Sequence, residues 1–107
     1  MGKREWIKIG DARKGTEFGH VPGHQYHDVE VTISQSGEAL RVTVLETWGS
    51  AQDGDKEHGR NSVVAIDGDL ATAVIIATAR AHDAGIRKEY LIQALSIAQA
   101  NAFDALS

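Results

Sequence analysis

The chain has 107 residues, a net charge of −4, 24% charged and 42% hydrophobic side chains, and no cysteine. That size and balance predict one globular domain over residues 1–107 with its own core. They argue against intrinsic disorder and exclude disulfide staples and cysteine-ligated metal or iron–sulfur centres. The charged start Met1-Gly2-Lys3-Arg4-Glu5-Trp6 and the lack of a long apolar run predict a soluble, cytoplasmic protein with no membrane span.

In chain order, Trp6, Ile7 and Ile9 predict a short strand over 4–9, stopped by Gly10-Asp11. A patternless loop is expected over 10–26. From Asp28 the alternation is regular: Val29, Val31 and Ile33 fall on one face, and Asp28, Glu30, Thr32 and Ser34 on the other. Gln35-Ser36-Gly37-Glu38 supplies a turn, and Leu40, Val42 and Val44 resume the pattern, so 27–48 is a hairpin whose core face those six residues form. Glu46 falls on that apolar face. Either the strand bulges near Leu45, which is the expectation, or the carboxylate points into something that needs it. An acidic, glycine-rich loop follows over 49–59, then a fourth strand over 62–66.

Asp67-Gly68-Asp69 predicts the cap of a helix with apolar positions Leu70, Ala73, Val74, Ala77, Ala81 and Ala84. Gly85 is its expected C′ residue, with Ile86 closing a Schellman ending on Ala81. A second helix carries a broad apolar stripe, Leu91, Leu95, Ala98, Ala102 and Leu106, joined by Tyr90, Ala94 and Ile97. The fold class is therefore α+β: a three- to four-stranded antiparallel meander, then a helical hairpin packed on one face.

Charge is uneven. Residues 1–20 carry five basic and three acidic groups, residues 21–69 three and nine, and residues 70–107 balance. The acidic middle repels phosphates, so nucleic acid is not an expected partner.

Chemistry-bearing residues gather in the two loops. Val21-Pro22-Gly23-His24 has the composition of a type II turn, which brings His20 toward His24 with His27 at the mouth of the next strand. Three imidazoles could then share a divalent zinc, nickel or copper ion, with Asp28 or His58 as fourth ligand. Asp53, Asp55 and Glu57 repeat like the opening of a calcium loop, but Val64 stands where the bidentate glutamate belongs. Glu57-His58-Gly59-Arg60 places a base beside a cation. No nucleophile, phosphate-loop or dinucleotide motif is present.

Ala81, Gly85, Ile86, Leu91 and Leu95 resemble the spacing around the turn of helix-turn-helix proteins, which would imply a DNA-reading second helix; that helix offers only Arg87, Lys88, Gln93 and Gln99 to DNA. The order of elements from Asp28 to Gly85 resembles the layout of the small HicB-type antitoxins, whose strand-end Pro-Asp signature is absent.

The leading functional expectation is a non-enzymatic binding or regulatory module acting through protein–protein interaction, with no cofactor. The alternative is a divalent-metal protein or small metal-dependent hydrolase using His20, His24, His27 and His58. A homo-oligomer, most simply a dimer, is expected because Leu70 to Ala79 contains no charge, with Leu70, Val74, Ile75 and Ile76 at the interface.

Overall fold

The computed structural model describes residues 5–16, 25–50 and 56–107. Strands β1 (Ile7–Gly15), β2 (Gln25–Ser36), β3 (Ala39–Ser50) and β4 (Lys56–Asp67) are followed by helices α1 (Leu70–Asp83) and α2 (Lys88–Leu106). The strands pair consecutively and antiparallel in the order β1-β2-β3-β4. This is the expected α+β meander with its helical hairpin, and it has four strands.

The central hairpin sets the core. Val31 lies opposite Val44 and Ile33 opposite Val42, joined by the two-residue connection Gly37-Glu38. Gly37 takes φ 59°, a left-handed conformation that only glycine adopts without strain. Val29, Val31, Ile33, Val42 and Val44 are the largest fully buried side chains, each worth about 1.5–3 kcal/mol of burial. All six predicted core residues are buried, Leu40 included.

The first strand corrects the sequence reading. It does not stop at Gly10-Asp11. Ile9 is the extra residue of a bulge between Lys8, opposite Ser34, and Gly10, opposite Ile33, and pairing continues to Gly15 opposite Asp28. The strand escaped the hydrophobic pattern because its core-facing residues are small. A Cβ on Gly10 would stand 2.5 Å from the Ala98 carbonyl oxygen and 2.8 Å from the Ala102 nitrogen, so the α2 backbone lies directly on β1. Ala94, Ala98 and Ala102 are completely buried in that seam, and Ala12 packs against it.

The other loop also shrinks. β3 runs to Ser50 and β4 begins at Lys56, six residues before its expected start. Here too a glycine hides the strand: a Cβ on Gly59 would meet the Trp48 indole at 2.4 Å, so the ring lies on the bare backbone of the neighbouring strand. The expected bulge near Leu45 is absent. Val29 faces Glu46 and Glu30 faces Leu45 in unbroken register; β3 and β4 slip only beyond Trp48.

The helix ends follow the sequence closely. Asp69 caps α1, its carboxylate accepting from the Thr72 N–H at 3.0 Å and the Thr72 hydroxyl at 2.8 Å. At the other end Gly85 takes φ 77°, its N–H donates to the His82 carbonyl, and the Ile86 N–H donates to the Ala81 carbonyl, as a Schellman ending requires. The helices lie side by side, α1 on β3 and β4, α2 on β1 and β2. Helix α1 touches the sheet directly, beside α2. Its inward contacts are the alanines Ala73, Ala77 and Ala81, which let it seat directly on the sheet beside α2. From α1, Arg80 Nη1 donates to the Val64 carbonyl of edge strand β4 at 2.5 Å.

Two outcomes follow. Gly10→Ala should cost about 1–3 kcal/mol in denaturant unfolding with an unchanged m-value, because both atoms in its way belong to backbone. The hydrogen bonds from Thr72 hold the Asp69 carboxyl below its ordinary value of 3.8. A carboxyl lowered on folding stabilises fully above its ordinary value and loses that contribution as pH falls through the lower one. Asp69→Ala should therefore melt several degrees below the native chain at pH 7, and thermal scans should show the gap closing as pH falls below 3.8.

Candidate functional site

Strands β1 and β3 finish, and β2 and β4 start, at one end of the sheet, and the α1–α2 turn sits over that end. There the core face turns polar. After Val42 and Val44, the next inward residue of β3 is Glu46, whose side chain is only 6% exposed. Its Oε2 accepts from His27 Nε2 at 2.7 Å and from the backbone N–H of Arg87 at 2.9 Å. Arg87 is the N-cap of α2 and has no side-chain cap of its own. Tyr90 occupies the helix position where a capping box would place glutamate, so the acceptor arrives from β3 instead.

The cross-strand partner of Glu46 is Asn61 on β4. Asn61 Nδ2 donates to the carbonyl of Ala84, the C-cap of α1, at 2.7 Å. One polar pair on adjacent strands therefore holds both sides of the interhelical turn. Around it the His27 ring packs 6.0 Å from Trp48 and 6.0 Å, edge-on, from Tyr90, and the Arg87 guanidinium lies over Tyr90 at 4.5 Å. On the opposite face of β2, the buried Asp28 pairs with Arg13, and that hydrogen bond raises the guanidinium above its ordinary pKa.

The proposed ligand residues are distributed as follows. His20 and His24 lie outside the described residues, as do Asp53 and Asp55. His27 is bound to Glu46. His58 is exposed on β4, where two residues oppose one beside the Trp48–Gly49 slip, and β3 separates it from His27. His27 pairs with Trp48, which pairs with Gly59, so the two histidines are about 10 Å apart across two strand spacings. Among the described residues no three His, Asp or Glu side chains converge as a metal ion would need. Arg60 gives Nε and Nη2 to Glu57 at 3.1 and 2.9 Å, and that contact lowers the Glu57 pKa. The pair satisfies itself across the bulge.

The predicted interface residues divide. Leu70, Val74 and Ile76 are half-buried against the core, whereas Ile75 is 68% exposed. Sequence reasoning missed the residues that complete the exposed surface: Ile92 on α2, 53% exposed, and Phe103, 66% exposed. Ile75, Thr78, Ala79, Ile86, Leu91 and Ile92 line a groove between the helices. The signal for α2 was present in the sequence: from Tyr90 to Phe103 there is no charged residue. No helix of the described residues is long and apolar enough to cross a membrane.

Comparison with known proteins gives no match: no family model, no curated protein and no solved structure matches the chain.

Glu46→Ala should cost about 2–3 kcal/mol in urea unfolding, because it strands the Arg87 N–H and the His27 ring. Glu46→Gln, which keeps an acceptor, should cost less than half as much. Equal losses would show that charge, rather than an acceptor, holds the turn.

Proposed function

We propose that the chain is a non-enzymatic binding module that works through protein–protein contact, with the outer face of its helical layer as the working surface and self-association to a dimer as its first contact. The observation that carries this reading is the uncharged band formed by Leu70–Ala79 and Tyr90–Phe103, on which Ile75, Ile92 and Phe103 stand exposed. Solvated helix faces are normally charged, and large apolar side chains left exposed on an uncharged face mark contact surfaces. The polar cluster under the turn supports the same reading from the other side. His27 and Glu46 are bound to each other and to backbone, which suits a structural joint better than a reacting centre.

Light scattering at micromolar concentration tests it. The native chain should have a mass near twice 11.5 kDa. Ile75→Glu should bring it to the single-chain mass with the helical circular dichroism unchanged. A native mass that stays at the single-chain value as concentration rises, or a dimer indifferent to Ile75→Glu, would overturn the reading.

A further inference from the structure

We infer that the partner copy docks with its helices antiparallel, across a two-fold axis through the middle of the helical layer, in an orientation set by charge at the two ends of that layer. The inference rests on the helical face being the working surface, and it adds the polarity of the contact.

The uncharged band is bounded by charges of opposite sign. At the turn end stand Arg80, Arg87 and Lys88 against Asp83 and Glu89, with His82 beside them. At the other end stand Glu38, Asp67, Asp69 and Asp104. Two of them meet in space: Glu38 and Asp69, with Phe103 and Leu106, border one cleft between the β2–β3 turn, the start of α1 and the end of α2. The layer is thus uncharged in the middle, where Ile75 and Ile92 stand among small and polar residues; its turn end carries a net charge of +1, with Arg87 paired to Glu89, and the other end carries −4.

A second copy can meet this surface in two ways. A two-fold axis running along the helices would set the acidic end of one copy against the acidic end of the other, and like charges across an interface suppress association. A two-fold axis near Ile75 reverses one copy, so each acidic end meets a cationic end, twice over by symmetry. The size also fits. With 14 and 19 residues the helices are about 21 and 28 Å long and side by side about 20 Å wide, or roughly 500 Å² per copy. The total of about 1,000 Å² reaches the lower limit for a specific pair. Ile75, the exposed large apolar residue of the band on α1, then stands beside the partner's groove between Ala79 and Ile92.

A charge swap tests the polarity. Glu38→Lys with Asp104→Lys raises the acidic end by four charges. Arg87→Glu with Lys88→Glu makes the cationic end negative, at the start of α2 where carboxylates are favourable. None of these four substitutions removes the Asp69 cap or the backbone N–H that Glu46 accepts from; Arg87→Glu gives up the stacking on Tyr90, so each variant's urea midpoint is recorded beside its mass. Each double variant alone should dimerise roughly tenfold more weakly than the native chain at low salt, and an equimolar mixture should recover tight pairing as a heterodimer. The native dimer should also weaken as salt rises from about 0.05 to 0.5 M, a test that needs no variant. Variants that pair as tightly as the native chain, a mixture that recovers nothing, or a salt-indifferent dimer would overturn the antiparallel pairing while leaving an Ile75-dependent dimer in place. A native chain that never dimerises would instead remove the reading beneath it.

Discussion

The contact between the Glu46 carboxylate and the Arg87 N–H is the constraint on which the arrangement of layers depends. A carboxylate on the inner face of a central strand is tolerable only if its lone pairs are filled, and the start of a helix is a natural supplier of N–H groups. Once α2 must begin over β3, the short link from Gly85 fixes where α1 ends, and the Asn61 bond to Ala84 holds that end over β4. The two helices then have one way to lie: α1 along β3 and β4, α2 back across β2 and β1. His27 completes the joint and ties β2 into it.

The inside of each helix is built largely of alanine, and this shapes the outside. The sheet already fills the core with valine and isoleucine, so the helices approach closely: the buried residues are Ala73, Ala77 and Ala81 on α1, and Leu91, Ala94, Leu95, Ala98 and Ala102 on α2. Bulky apolar residues that have no room inward project outward or to the flanks, as Ile75, Ile92 and Phe103 do. The exposed band is thus a consequence of how tightly the layers pack.

Much of this was legible in the residues. The six core positions of the hairpin, the Asp69 cap and the Gly85-Ile86 ending each rest on a local rule with a local signature, and each stands as expected. What the sequence concealed lay where contact is made by absence. Gly10 and Gly59 look like chain breaks, yet each is a strand residue pressed against a neighbour's backbone or ring, and nothing in a single sequence names that neighbour. Glu46 was visible as a charge out of place, but its partner is 41 residues away. Of the predicted interface only Ile75 is open to solvent, because helical periodicity alone does not say which flank of α1 the sheet takes.

The Arg80 contact with the Val64 carbonyl bears on how the fold could fail. β4 is an edge strand, and its segment Ser62-Val63-Val64-Ala65-Ile66 contains no charge and no proline. Such a segment, short, β-prone and neutral, is a template for adding foreign strands. What guards it comes from α1, whose body covers one face and whose arginine occupies a backbone acceptor. Local opening that lifts α1 away would therefore uncover that edge to foreign strands, which ties resistance to aggregation to the seating of this one helix.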